Sequence, residues 1–398
     1  MEAAKHLVPA LPRVPRWLKP TLAAWALAIL ARALLGCDAG AREPEPTDQR
    51  AEQTKAPEAE RAPIGQPDED AAPPSLVPGA PAAPADPHLI TLSAVGDCTL
   101  GDNAGSEHAQ GSFHAVFDSS GGDFARPFAR VRDLLASDDL TIANLETTLT
   151  TAGHRKDTTF AFRGRPEFAK MLVEGSVELA NMSNNHSADC GPRGIEETKA
   201  SLEHENVGWF GLGHADVRIV KGVEVVNLGY TGGRLEVRSQ VVKDVKARKR
   251  ADNLVIVSFH WGIEGEHTAT DVQQKLGRAA IDSGADLVIG HHPHVIQGIE
   301  SYKGKKIVYS LGNFVFGGNA RPQEFDAIIY RAQFSLKDGT VVALSDEVIP
   351  VSVSGNPKQN DFQPFILEGD EKARVLGAVG RFSELVPGKK PRTVARRP

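Results

Sequence analysis

An α/β fold, carried by one large domain over residues 88–387, is what this sequence predicts. Three observations lead there. From His88 onward, β-branched apolar runs alternate with stretches of helical periodicity; every early run stops at a polar residue of ligand type; and about 300 residues is ample for one well-buried core. Such alternation predicts a largely parallel sheet covered by helices, with active groups at the carboxyl ends of its strands.

The elements follow in order. "LITLSAVGD" (89–97) reads as a strand ending at Asp97, "FARPFARVRDLLAS" (124–137) as a helix, and "DLTIANLE" (139–146) as a strand ending at Asn144 and Glu146. "PEFAKMLVEG" (166–175) is a helix opened by Pro166, and "SVELANMSNNH" (176–186) is a strand with Asn184, Asn185 and His186 at its polar end. The charged "GPRGIEETKASLEHEN" (191–206) is the next helix, followed by the buried strand "NLVIVSFHW" (253–261) with His260 at its end. "DVQQKLGRAAIDSG" (271–284) is a helix closed by Gly284, and "ADLVIGHHPH" (285–294) ends in His291, His292 and His294. After that, "KKIVYSLGNF", "DAIIYRAQFSL" and "TVVALSDEVIPVSVS" read as antiparallel strands of a second sheet, and "EKARVLGAVGRFSELV" as a closing amphipathic helix.

The flanks are of another kind. Lys5, Arg13, Arg16 and Lys19 precede the apolar run "TLAAWALAILARALLGC", the basic-then-apolar-then-small order of an export signal over residues 1–36. Arg32 interrupts the run, which leaves it shorter than the ~20 residues of a spanning helix; an uncleaved single anchor is the alternative. Residues 37–87, with eleven acids against four bases up to Pro87 and almost no large apolar side chains, read as a disordered tether. Residues 388–398 are a basic disordered tail. The net charge of −6 becomes −10 without the leader, which holds five bases and one acid. No basic patch is interleaved with aromatics, so nucleic acid is not an expected partner.

Taken singly, an Asp or Asn after a strand is a turn former or helix cap. Gathered at one sheet edge, Asp97, Asn144, Glu146, Asn184, Asn185, His186, His260, His291, His292 and His294 offer carboxylate, amide and imidazole groups that can converge on a metal centre. Asn313 follows another strand and either lines the pocket or makes a turn; Arg163 is a candidate grip on an anionic substrate. Asp189 either orients His186 or caps the helix that follows. In an exported, oxidising compartment Cys98 and Cys190 are a candidate disulfide.

The ordered motifs "AVGDCTLG", "IANLETTLT", "FRGRPE", "NNHSADCG", "HWGIE", "GHHPHVIQ" and "YSLGNFVF" resemble those of the capsule-synthesis CapA family, the poly-γ-glutamate synthesis proteins. The family is similar to the calcineurin-like metallophosphoesterases, which implies an α-β-β-α sandwich of two mixed sheets flanked by helices. It also implies one or two metal ions (Mn, Zn or Fe) held by Asp97, Glu146 as bridging carboxylate, Asn185, His260, His292 and His294. His186 would protonate a leaving oxygen, and His291 would be a neighbour available to substrate. Thr99 departs from the superfamily pattern, which has a histidine two positions after the first Asp. "LLGC" resembles the bacterial lipobox, which implies lipidation at Cys37 and a lipoprotein anchored in the cell envelope. The resemblance further implies an anionic polymer or phosphoester substrate and membrane synthase or export partners. A non-catalytic scaffold in a polymer-synthesis complex is the alternative role.

Overall fold

Two sheets organise the chain. In the computed structural model, which describes residues 86–386, the first part runs β1 (Ile90–Thr99), β2 (Asp102–Asn103), α1 (Phe113–Ser119), α2 (Arg132–Leu135), β3 (Leu140–Leu145), β4 (Thr148–Leu149) and β5 (Phe162–Gly164). It continues through α3 (Ala169–Glu174), β6 (Leu179–Asn181), α4 (Gly191–His204), β7 (Gly208–Phe210), β8 (Asp216–Val220), β9 (Val223–Thr231), α5 (Arg238–Arg248) and β10 (Asn253–His260). The last part is α6 (Asp271–Ser283), β11 (Leu287–His291), β12 (Ile299–Tyr302), β13 (Lys305–Val308), β14 (Asn313–Phe316), β15 (Asp326–Lys337), β16 (Thr340–Ser352), β17 (Phe365–Ile366) and α7 (Gly369–Glu384).

The larger sheet has the order β17-β16-β15-β1-β3-β6-β7, with β14 pairing the end of β1. Its β1, β3, β6 and β7 are parallel, and β15, β16 and β17 antiparallel. The second sheet has the order β12-β13-β11-β10-β9-β8, parallel except at its two edge strands. Leu92, Ile142 and Leu179 of the first sheet and Val225, Ile256 and Ile289 of the second share one buried apolar cluster, so the two faces pack on each other. The opposite face of the first sheet is covered by a cluster that includes Phe113, Phe168 and Leu202 of the early helices. That of the second is covered by Val241, Val245, Leu276 and Ala280 of α5 and α6. The result is an α-β-β-α sandwich of two mixed sheets.

One irregularity positions the site. Along β1, Leu92 and Ala94 pack between the sheets, whereas Val95 and Cys98, three residues apart, both pack in the outer cluster. The alternation slips by one where the pairing with β3 shifts register, between Ala94 and Asp97. The slip turns Asp97 toward the second sheet. Gly96 sits within it, and a Cβ there would meet the Gly312 carbonyl oxygen at 2.2 Å, so only glycine admits the approach of β14.

The structure corrects two expectations. The strand "KKIV" does not join "DAIIYRAQFSL" and "TVVALSDEVIPVSVS" in a separate antiparallel sheet: β13 extends the second sheet parallel to β11, whereas β15 and β16 return to the first. The reason is that β15 covers the edge of β1 over five register pairs, Ile90 to Ala94, that would otherwise leave backbone groups unpaired. The segment 124–137 is not one helix but a 3₁₀ turn, Arg126–Phe128, followed by the four-residue α2. Pro127 supplies no backbone donor and is compatible only with the start of a helix. The strand pair β8–β9 and helix α5 add to the elements expected from sequence. Among the described residues no helix is long and apolar enough to cross a membrane. The signal segment, Cys37, the tether up to residue 85 and the tail lie outside the described residues.

Candidate metal centre

The carboxyl ends of β1, β3, β6, β10 and β11 converge. Asp97 and Glu146 are fully buried, and His260, at 2% exposure, places its Nε2 3.3 Å from Glu146 Oε1. His294 Nδ1 lies 3.3 Å from Asp97 Oδ2 and its Nε2 3.9 Å from Glu146 Oε1. The turn after β11 delivers two imidazoles at once because His292 and His294 both adopt positive φ, 96° and 59°. Each such non-glycine residue is strained by about 1–3 kcal/mol, a strain that functional sites hold against the surrounding structure.

An amide relay braces the carboxylates. Asn181 donates to Asn144 Oδ1 at 3.0 Å, and Asn144 donates onward to Asp97 Oδ1 at 2.8 Å. Asn184 donates to the Leu145 carbonyl at 2.8 Å, tying the loop after β6 to the end of β3. Asn185 Oδ1 lies 2.5 Å from His260 Nε2, and Asn313 Oδ1 2.9 Å from His294 Nδ1. Asn313 therefore holds the inner nitrogen of His294 and leaves Nε2 directed to Glu146.

Glu146 is the exception to this bracing. Both its carboxylate oxygens are buried and have no hydrogen-bond partner among the described residues, and the same holds for Nδ1 of His292. A buried polar atom without a partner is destabilising by about 1–3 kcal/mol, more for a charged one. Three clusters have ligand atoms close enough to hold a metal ion: Glu146 with His260 and His292, Asp97 with Glu146 and His294, and Glu264 with His292 and His294. Carboxylate and imidazole donors suit Zn, Mn or Fe. The residues thus fit a metal, and Glu146 is shared by two of the clusters.

The electrostatics differ across the centre. Burial and the neighbouring His260 push His292 down to about 4, so its ring is neutral at pH 7. Burial opposes charge on His294 too, but Glu146 and Asp97 push it up to about 10. Burial likewise opposes the charge of Asp97, yet the imidazoles of His291 and His294 hold it well below the usual carboxylate range. For Glu146, burial and Asp97 act to raise the carboxyl, and His260 and His294 hold it lower.

His186 stands at the edge of this group, its Nε2 4.0 Å from Glu146 Oε1. Its Nδ1 is 2.7 Å from Asp189 Oδ2, which also accepts the Phe162 amide at 2.7 Å. Asp189 makes no cap for α4, whose N-cap is Cys190 with no side-chain hydrogen bond. The Phe162 ring packs on His186 at 4.4 Å. Beside them opens a cleft of about 660 Å³, walled by Phe160, Phe162 and Phe316, with Glu264, His267 and Glu324 at its polar side and His294 and Asn313 at its floor.

Two expectations are corrected here. Arg163 does not line the cleft: alternation along β5 turns it away from Phe162, into a separate cavity of about 420 Å³ with Arg155, Arg165 and His114. Its Nε donates to Cys190 Sγ at 3.3 Å. Cys98 and Cys190 are free rather than disulfide-bonded. Cys98 packs in the outer core, where burial pushes its thiol up to about 12. Cys190 instead accepts from Thr148 Oγ1 at 3.1 Å. Trp261 is buried and stacks on Phe259 at 4.3 Å, away from the cleft lining. Sequence reading passed over Glu264 as a ligand, although it stands in the quoted "HWGIE", and over Asn181 and Phe162, whose roles depend on partners distant in the chain.

The family model described as bacterial capsule synthesis protein PGA_cap matches residues 91–318. The chain is 28% identical over 299 residues to the capsule biosynthesis protein CapA of Bacillus anthracis, covering 68% of this chain and 69% of that one. It is 30% identical over 278 residues to the PGA biosynthesis protein CapA of Bacillus subtilis (strain 168), covering 63% and 69%. Among solved structures it is similar to the calcineurin-like phosphoesterase YfkN from Bacillus subtilis, with a TM-score of 0.43 and 11% identity, over 74% of this chain and 98% of that one. The family match spans every residue of the centre from Asp97 to Asn313, and the chain belongs to the bacterial capsule synthesis protein PGA_cap family.

Proposed function

We propose that this protein is an envelope-anchored, metal-dependent hydrolase that acts on an anionic capsule polymer of the poly-γ-glutamate type. One observation carries the reading: Glu146, with both carboxylate oxygens buried and unpartnered, stands between two imidazole-bearing clusters. Asp97, Glu146 and His294 would hold one ion and Glu146, His260 and His292, with Asn185 beside them, another. A divalent metal there supplies electrophilic stabilisation of charge developing on a substrate oxygen.

The chain's own residues supply the rest. Asp189 holds Nδ1 of His186, so Nε2 is the nitrogen available to carry a proton to a leaving group. Phe162 and Phe316, packed on His186 and His294, keep water from the inner faces of both rings. Among the described residues no Lys or Arg lines the cleft, which carries Glu264 and Glu324. A metal held by Asp97, Glu146 and the histidines would supply the positive charge for an anionic group of the substrate.

The names of the two Bacillus relatives point to capsule and PGA biosynthesis as the setting. Anchoring through a lipid on Cys37 belongs to the same proposal; accumulation of precursor when signal peptidase II is blocked is the expected result. Incubating the metal-loaded protein with poly-γ-glutamate and, separately, with a phosphodiester panel tests the reaction. Release of shorter polymer supports the reading, turnover of phosphodiesters alone moves the substrate class, and His186→Gln should lower kcat about 10²–10⁴-fold. A second reading, a non-catalytic component of a polymer-synthesis complex, is favoured by Thr99, which has no imidazole to offer a metal. Capsule formation that persists in the Glu146→Gln strain would establish it.

A further inference from the structure

The second cavity, of about 420 Å³, takes no part in the chemistry above, yet it gathers Arg155, Arg163 and Arg165 around His114. It lies across β5 from the cleft, since Phe162 lines the one and Arg163 the other. The backbone stays extended at Arg165, with φ −72° and ψ 147°, so that side chain leaves on the same face as Arg163.

Part of this charge is answered on the spot. Arg165 pairs with Asp118 through two hydrogen bonds of 2.7 Å. His114 Nδ1 lies 2.5 Å from Asp102 Oδ2, and the Asp102 carboxylate also accepts the Phe113 and His114 amides. Asp102 stands opposite Arg163 in the β2–β5 pairing, but these three donors already occupy it. Arg163 has no carboxylate partner among the described residues; its Nε donates to Cys190 Sγ at 3.3 Å and its Nη2 to the Gly153 carbonyl at 3.4 Å. Arg155 forms an ion pair with Glu107, yet its Nε, Nη1 and Nη2 are buried and none makes an aligned hydrogen bond among the described residues.

Buried guanidinium donors without acceptors, beside a second guanidinium without a carboxylate, are complementary to a planar oxyanion that accepts two parallel N–H bonds. We infer that this cavity is a carboxylate-binding site, in which Arg155 and Arg163 grip a carboxylate of the anionic polymer outside its reacting segment. Glu107 and Asp118 answer Arg155 and Arg165, and Asp102 answers His114, so one guanidinium is in excess. That suits the single charge of a carboxylate better than the larger charge of a phosphate monoester. The inference rests on the polymer substrate proposed above: a chain with a carboxylate on every residue can be held here while another segment occupies the cleft.

The test separates binding from catalysis. Calorimetry on the metal-free full chain at near-physiological salt measures the affinity for a short γ-linked glutamate oligomer. Arg155→Met and Arg163→Met, each checked for folding by circular dichroism, should bind it at least about tenfold more weakly than the native chain. Arg163→Lys, which keeps the charge and loses the fork, should fall between. In the metal-loaded chain the loss should fall on KM for the polymer with kcat within about twofold, because neither arginine lines the cleft. Folded Met variants that bind the oligomer as the native chain does, or a native chain that does not bind it, overturn the inference and leave the metal-dependent reading intact. Inorganic phosphate displacing the oligomer at lower concentration than acetate overturns the carboxylate assignment in favour of a phosphoester. Weakened binding in the Met variants of a chain that hydrolyses no polymer when metal-loaded upholds the site and overturns the hydrolase reading.

Discussion

The two sides of Glu146 are built from the same residue types and prepared differently. On one side His260 and His292 meet the carboxylate, and His292 is neutral at pH 7 because burial and a neighbouring imidazole push it down to about 4. On the other side His294 is pressed between Asp97 and Glu146, which push it up to about 10. The first side offers a lone pair at once; the second holds a proton where a cation would sit. Density of carboxylate, more than burial, decides which imidazole is ready to ligate.

Removing the shared group is the strongest way to break that contrast. Glu146→Gln should bring metal content close to zero, with both affinities falling more than about 100-fold, read by metal analysis after dialysis. Retention of one tight ion would show that the two sides do not depend on a common carboxylate.

The contrast sharpens with pH. An ion entering the His294 side must displace its proton, so affinity there should rise about tenfold per pH unit through neutrality and level off near pH 10. The His292 side should gain no such slope from its own ring above about pH 5. Calorimetry in buffers of different ionisation enthalpy should count about one proton released for one equivalent at pH 7.5. In the metal-free protein the raised His294 contributes stability that is complete below its ordinary value of 6.5 and is lost as pH rises through about 10.

Smaller effects lie farther out. Asp189→Asn should lower kcat about 10–100-fold with metal content unchanged, since Asp189 touches His186 and no candidate ligand. Arg163→Met should alter turnover in the cleft less than about twofold, because its side chain enters the other cavity. Cys98 should resist alkylation in the folded protein at pH 8 and react on unfolding, since burial keeps the thiol protonated up to about 12.

Much of the candidate site was legible because each candidate ligand stands at the end of an apolar run. Asp97 and His260 lie at the carboxyl ends of buried strands and Glu146, His292 and His294 just beyond them, and parallel strands deliver such residues to one edge whatever the order in which they pair. Helices α4, α6 and α7 were legible from periodicity, and α6 also from Gly284, whose φ of 117° closes it.

Sequence alone thus determined the α/β class, the strand ends that carry chemistry and the family motifs, all properties of local pattern. Only the tertiary structure decided that β15 and β16 return to the first sheet, that Arg163 faces away from the cleft, and that His291 stands beside Asp97. Each of these depends on a one-residue slip, a strand's facing or a partner far along the chain. The bulge after Ala94 shows why: moving the register by one position turns Asp97 from one face of its sheet to the other and leaves its place in the sequence unchanged.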